Sequence, residues 1–293
     1  MNPYQILKEA KENKYAIGSF NFCTAEVLKA IVLVAQKNNS PVIVSTSENE
    51  ADFIGMGQAV ALVSAWRQQI PSLNILLNLD HGKSLDKIKQ AIEAGYDMVH
   101  FDGSALSYEE NIEKTKDVVD YIKNQELRIK NQEIIVEGEL GYLRGSSSLH
   151  QEILEIQEED LTQPEQAVDF VKKTGIDSLA VVIGNAHGVF PKSPEKLYLD
   201  RLRDIYEAVG DKAFLVLHGG SGVPDEDIKQ AIGLGIVKIN VNTEIRLAYR
   251  DALRDFLINN PDESTTYKIL GPAMNAAQKI VEDKIKLFNK RSE

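Results

Sequence analysis

The sequence predicts an α/β fold, a single (β/α)8 TIM barrel occupying residues 1–293, and three observations carry that expectation. Eight short runs rich in valine, isoleucine and leucine recur along the chain, and longer charged stretches with helical spacing separate them. Eight parallel strands are the number that closes a barrel. The GxGxxG turn that usually follows the first strand of an open doubly wound sheet is missing.

Taken in order, the chain opens on MNPYQILKEAKENKYAIG, which reads as an amphipathic helix; no basic segment leads into an apolar run, so it is not read as a signal peptide. Strands are predicted at Tyr15–Asn21, Pro41–Thr46, Asn74–Asp80, Asp97–Asp102, Glu133–Glu139, Ser178–Gly184, Ala213–His218 and Val237–Val241. Each is a β-branched run of the kind buried on both faces. Helical patterns between them include AEVLKAIVLVAQKNN, SLDKIKQAIEAG, SYEENIEKTKDVVDYIKN and PEQAVDFVKKTG. The third of these has acids early and lysines late, which complements the helix dipole. Ser84 is the expected cap of the helix after strand three. Gly95, Gly175 and Gly235 each stand between a helix and the next strand, where C-terminal caps are expected. No linker rich in Pro, Gly or Ser divides the chain, and the short Gly145–Ser148 (GSSS) stretch is read as part of a mobile loop.

The formal net charge is −11, a field that repels phosphate backbones and argues against nucleic-acid binding. An anionic substrate would have to be captured locally, by backbone N–H groups, a metal or one or two lysines. Cys23 is the lone cysteine, so no disulfide forms within the chain, which suits a reducing compartment. No stretch is long and apolar enough to span a bilayer, and a cytoplasmic enzyme is the expectation.

Barrel active sites gather where strands end, so the residues at those ends are informative. Asp80 and His81 end strand three, Asp102 ends strand four, and Glu137 and Glu139 end strand five. His187 follows strand six, His218 ends strand seven, and Asn240 and Asn242 end strand eight. A single histidine at a strand end is ordinarily a hydrogen-bonded polar group. His81, His187 and His218 converging on one rim make a plausible zinc set with a coordination position left open. His100, inside a strand, and His150 are read as structural or surface groups. Asp80 beside such a metal suits general acid–base work. HGGSG (His218–Gly222) after strand seven offers backbone N–H groups to an anion, at the place where barrels commonly hold phosphate. Thr243 reads as the N-cap of the following helix and as a phosphate contact.

These segments together resemble the class II fructose- and tagatose-bisphosphate aldolase family. The matching segments run nearly end to end: GSFN, SENEADFIG, LDHGKSLDKI, FDGS, VEGELG, GNAHGVF, LHGGSGVPDEDI and KINVNTE. The resemblance implies that His81, His187 and His218 hold Zn2+, which would polarise the ketose carbonyl and stabilise the enediolate formed on cleavage. It gives Asp80 the proton of the C4 hydroxyl. It gives Gly188, Gly219, Ser221 and Thr243 the phosphate of the dihydroxyacetone-phosphate half, and Asn240 a contact to the enediolate. Asn21 and Ser47 match pocket-lining positions, and Asp102 and Glu139 match acidic positions near the metal. Members are typically homodimers or homotetramers, and many use a monovalent cation, Na+ or K+, near the phosphate. The implied reaction is reversible cleavage of fructose 1,6-bisphosphate to dihydroxyacetone phosphate and glyceraldehyde 3-phosphate, with tagatose bisphosphate as the alternative. A Schiff-base role for Lys238 is not needed beside three metal ligands.

Two positions depart from the family pattern. After ELG, members usually carry GG and then acidic residues, one of which is thought to exchange a proton on the dihydroxyacetone-phosphate carbon. Here the stretch reads GYLRGSSSLHQE, with Ser146 and Ser147 where acids are expected and Glu152 and Glu155 further on. Asn242 stands where part of the family has aspartate. Two other readings therefore stay open: a different metal-dependent barrel enzyme such as a hydrolase, and a phosphosugar-binding protein that kept the pocket and lost the chemistry.

Overall fold

A computed structural model of the chain describes residues 2–126, 133–152, 155–191 and 196–289. Eight parallel strands close into a barrel: β1 (Ile17–Asn21), β2 (Val42–Ser47), β3 (Ile75–Gly82), β4 (Met98–Phe101), β5 (Ile135–Leu140), β7 (Ser178–Val181), β9 (Phe214–Leu217) and β10 (Ile236–Val241). Their order around the barrel is β1-β10-β9-β7-β5-β4-β3-β2. All eight predicted strands are present, with ends shifted by at most three residues.

The period-two alternation of a strand sorts the inward residues into layers. At the bottom, Ile17, Ile43, Leu76, Met98, Ile135, Phe214 and Val237 form one buried apolar cluster. Helix α1 (Pro3–Glu12) plugs it with Ile6, Leu7 and Ala10. Burying each large apolar side chain there contributes about 1.5–3 kcal/mol. Two residues further along β1 to β5 the interior turns polar with Ser19, Ser45, Asn78, His100 and Glu137, and Ser178 on β7 and Lys238, next to Val237 at the irregularity in β10, are likewise fully buried. They satisfy one another where they can, as Ser19 and Ser45 do at 2.8 Å. Two residues further still stand Asn21, Ser47, Asp80, Asp102, Glu139 and Asn240, at the mouth.

The helical layer comprises α2 (Ala25–Lys37), α3 (Glu48–Ile54), α4 (Met56–Gln69), α5 (Leu85–Ala94), α6 (Tyr108–Glu126), α7 (Pro164–Thr174), α8 (Leu199–Val209), α9 (Asp225–Gly233), α10 (Thr243–Asn259) and α11 (Thr266–Phe288). Ser84 caps α5 by accepting from the Lys87 N–H, and Gly95 and Gly175 end α5 and α7 in the left-handed conformation, as predicted. Thr243 differs from expectation. It is the first residue of α10, and Asn242 is the cap position but makes no side-chain capping bond. The cap is supplied from elsewhere: Ser221 Oγ accepts from the Glu244 N–H at 3.4 Å.

The Gly145–Ser148 stretch read as loop forms strand β6 (Gly145–Leu149). It pairs in parallel with β8 (His187–Val189), Gly145 opposite His187 and Leu149 opposite Val189. Three serines and a glycine carry no apolar alternation, so only a partner strand reveals them as β-structure. No helix among the described residues is long and apolar enough to cross a membrane.

Candidate active site

The strand ends surround a cavity of about 520 Å³, a volume within the range of small-molecule sites. Asn21, Ser47, Asp80, His81, Asp102, Glu139, His187, Gly188, His218, Gly219, Ser221, Asn240, Asn242 and Thr243, all expected from sequence, line it, whereas Glu137 lies one layer below. Glu50, Lys83, Tyr142 and Arg246 join them without having been anticipated.

His81 and His218 are held from behind by carboxylates. His81 Nδ1 lies 2.8 Å from Asp102 Oδ2, and His218 Nε2 lies 2.8 Å from Glu137 Oε1. An ionised carboxylate only accepts, so each of these ring nitrogens carries the proton. The remaining nitrogens, His81 Nε2 and His218 Nδ1, face each other at 3.0 Å with their lone pairs. Two acceptors at that separation repel unless a proton or a metal cation lies between them. Two imidazoles on one tetrahedral zinc, with Zn–N of about 2.0–2.1 Å, place their nitrogens about 3.3 Å apart. The donor set therefore fits a metal.

His187 stands beside this pair, its ring centroid 4.7 Å from that of His81. The ligand atoms of Asp80, His81, His100 and His218 lie within 4.8 Å of one another. A second such group is His81, Asp102 and Glu139. His100 is not a satisfied strand histidine. Its Nε2 and the Glu139 Oε2 lie 3.1 Å apart in a geometry that leaves both without a hydrogen bond. Burial opposes charge on His100, but Asp80, Glu139 and Glu137 outweigh it and push its pKa up to about 10. Against that charge, Nδ1 accepts the backbone N–H of His81 at 3.1 Å. That amide cannot give up its proton, so the bond decides for a neutral ring with its proton on Nε2.

The same bond anchors an uncommon backbone. His81 has φ +52°, in the left-handed region. Such a conformation is costly for a residue with a Cβ and tends to gather at functional sites. It turns the chain so that Asp80 and His81, neighbours on one strand, both reach the cavity. Burial lowers the pKa of His187 to about 3, and burial also lowers that of His218 against the pull of Glu137. Both rings are thus neutral, as metal ligands must be.

Asp80 is fixed at both oxygens. Asn240 Nδ2 donates to Oδ1 at 2.9 Å and Asn21 Nδ2 donates to Oδ2 at 3.0 Å. Burial raises its pKa, but the surrounding histidine rings and the charge of Lys238 hold it well below the usual carboxylate range. Glu50 completes this side: it accepts from Asn21 at 2.8 Å and Asn242 at 3.3 Å while forming the capping box of α3 with Ser47. The amide oxygens of Asn21, Asn240 and Asn242 are buried at the cavity without partners, free to meet a polar ligand.

Across the mouth, the loop after β9 and the start of α10 are tied together. The Gly222 N–H donates to Glu244 Oε1 at 2.7 Å, and Lys284 pairs with the same oxygen at 2.9 Å. Gly219 sits at φ +64°, where an added Cβ would lie 1.9 Å from the Ala186 carbonyl oxygen, so the turn excludes side chains. With Gly188, Ser221 and Arg246 nearby, this arc can hold an anion against an otherwise acidic cavity.

The departure near β6 is also visible. His150 Nε2 lies 3.1 Å from Ser148 Oγ and 2.8 Å from the Ser146 carbonyl oxygen, its Nδ1 lies 2.9 Å from Glu152 Oε1, and its ring stacks on Phe190. Glu152 is thereby tied to a histidine and largely exposed, and Glu155 is exposed. The acids among the described residues lining the cavity are Glu50, Asp80, Asp102 and Glu139. The side chain of Ser147 falls outside the described residues.

The profile of class II fructose-bisphosphate aldolases matches residues 1–293. The chain belongs to that family. Its members are metal-dependent lyases acting on sugar phosphates. A fructose-bisphosphate aldolase of Staphylococcus aureus strain Mu50 is 37% identical, the alignment covering 97% of this chain and 95% of that one. A sulfofructosephosphate aldolase of Alkalicoccus urumqiensis is 35% identical over 97% of this chain and 94% of that one. The crystal structure of the YdjI aldolase of Escherichia coli K12 superposes with a TM-score of 0.81 at 33% identity, covering 98% of this chain and 96% of that one. In aldolase terms, the His81–His218 pair is where the donor set would hold the metal, and the cavity above it is large enough for a sugar phosphate.

Proposed function

We propose that this aldolase uses Zn2+ to cleave fructose 1,6-bisphosphate reversibly to dihydroxyacetone phosphate and glyceraldehyde 3-phosphate. The observation that carries the reading is the approach of His81 Nε2 and His218 Nδ1 to 3.0 Å, each ring held from behind by a carboxylate, beside an Asp80 whose pKa is depressed. When bound, the metal supplies a Lewis acid for the ketose carbonyl. His187, neutral and adjacent, would complete the ligand set.

The remaining roles belong to the chain. Asp80, charged and oriented by Asn21 and Asn240, would take the C4 hydroxyl proton in the cleavage direction and return it in synthesis. Gly188, Gly219, Ser221 and Thr243 would hold the phosphate through backbone and hydroxyl donors. Asn240 would meet the developing oxyanion, and Asn242 and Ser47 would line the sugar. Asp102 and Glu139 would keep the field around the metal negative. The reading extends to a Na+ or K+ near the phosphate, a homodimer or homotetramer, and a cytoplasmic location.

A second reading, a phosphosugar-binding protein without turnover, is favoured by one observation: Ser146 stands where a carboxylate is expected, and Glu152 is tied to His150. One assay separates them. Release of dihydroxyacetone phosphate is measured from fructose and tagatose 1,6-bisphosphates, with and without a chelator. A sulfonated ketose phosphate is included, because one relative is named for it. Chelator-sensitive release supports the aldolase. Sugar binding without release from any of the three supports the binding protein.

A further inference from the structure

Lys238 has no place in the chemistry above, yet it is fully buried inside the barrel on β10. Its Nζ lies 2.7 Å from Glu137 Oε2 and 2.9 Å from Oε1. Glu137, on β5, is equally buried, and its Oε1 is the atom that meets His218 Nε2 at 2.8 Å. A buried ion pair is a poor way to stabilise a fold, because the desolvation of both ions offsets their attraction, and apolar residues of similar volume generally do as well. The layer below is apolar and shows that this barrel can be filled in that way. The pair therefore asks for a reason beyond packing, and the third contact supplies one.

We propose that Glu137 and Lys238 are positioning residues for the metal: together they fix His218 with its proton on Nε2, so that Nδ1 presents a lone pair toward His81 Nε2. The geometry is directional. Lys238 holds both carboxylate oxygens, so Glu137 can neither rotate away nor present a proton to the imidazole. The other facing ring is built the same way. His81 Nδ1 is held by Asp102, and Asp102 Oδ2 is in turn paired with Lys83 Nζ. Two histidines, contributed by different strands, thus each have a carboxylate behind them and a lysine behind that. The protons sit on different ring nitrogens, Nδ1 in His81 and Nε2 in His218, and in each ring the nitrogen left bare is the one that faces the other histidine. Carboxylates placed in this way behind metal-binding imidazoles orient the ring and raise its basicity. Sequence alone could not pair them, since 101 residues separate Glu137 from Lys238.

The inference rests on the metal reading of the previous subsection, and its test keeps the two apart. Zn2+ affinity is measured by competition with a chromogenic chelator for the wild-type chain and for the double variant Glu137→Met/Lys238→Met. The double swap removes both charges together and leaves neither ion stranded. The variant is expected to melt cooperatively and to bind Zn2+ ten- to a hundred-fold more weakly, the range reported for loss of such supports. A folded variant that binds Zn2+ within threefold of wild type overturns the inference. A wild-type chain that binds no Zn2+ overturns the metal reading itself. Nitrogen chemical shifts of the His218 ring in metal-free wild-type protein give a second readout that no variant can confound by misfolding. They should show Nε2 protonated and Nδ1 bare, and a proton on Nδ1 overturns the proposal.

Discussion

Replacing Asp80 by alanine separates the proton-transfer role from the metal site, and the expected magnitudes follow from its surroundings. Asp80 accepts from Asn21 Nδ2 and Asn240 Nδ2. Without it, Asn21 keeps Glu50 as an acceptor at 2.8 Å, while Asn240 retains only a long 3.4 Å approach to His218 Nδ1. One buried donor is thus left poorly satisfied, a cost of about 1–3 kcal/mol in stability. Loss of a placed acid–base group slows catalysis by about 10²–10⁴-fold, or ~3–5.5 kcal/mol of transition-state stabilisation. The carboxylate supports both rings of the His81–His218 pair only at a distance, its Oδ1 standing 3.9 Å from His81 Nε2. Asp80→Ala should therefore retain one Zn2+ per chain, unfold at a modestly lower temperature, and lose cleavage of the bisphosphate. The assay couples dihydroxyacetone phosphate release to NADH oxidation, alongside metal analysis of the same preparation. Solvent hydrogen exchange into dihydroxyacetone phosphate alone does not involve the C4 hydroxyl and should persist. Cleavage within tenfold of wild type, at full metal occupancy, would refute the acid–base assignment.

Three further outcomes are expected. His218→Ala removes one of the two facing nitrogens and should lose metal and activity together; a variant that keeps both takes His218 out of the ligand set. Gly219→Ala places a Cβ 1.9 Å from the Ala186 carbonyl oxygen in a left-handed backbone and should raise KM for the phosphorylated substrate while lowering the melting temperature; an unchanged KM would argue that the turn does not hold phosphate. Metal-free protein should lose stability as pH falls from about 6.5. His187 has a pKa of about 3 when folded and about 6.5 when unfolded. Between those values the unfolded chain binds a proton that the native chain does not, which contributes about 1.4 kcal/mol per pH unit. Asp80 and Glu139, with depressed pKa values, add in the same direction once pH drops through the ordinary carboxylate range. Urea unfolding in chelator at several pH values tests this, and a profile flat from pH 7 to 4 would contradict it.

The fold class and the rim of the site were legible in the sequence because both are encoded locally. Strand and helix periods are read within a dozen residues, and a strand end brings its chemistry with it, as LDHG does at Asp80 and His81. Even the polar middle of the barrel is present in the letters, as the i, i+2 steps Ile17–Ser19–Asn21 and Ile135–Glu137–Glu139. What those steps could not say is which residues meet. The pairing of Glu137 with Lys238, the approach of His100 to Asp80, His81 and His218, and the strand made by Gly145–Leu149 all depend on barrel closure and register. Closure sets distances between residues that sequence separates by a hundred positions, and hydrogen-bond direction then decides which nitrogen of each histidine is free. The sequence by itself placed the strand-end side chains at the mouth of the barrel; only the tertiary structure brought Glu50, Lys83, Tyr142 and Arg246 to it and decided how all of them face one another.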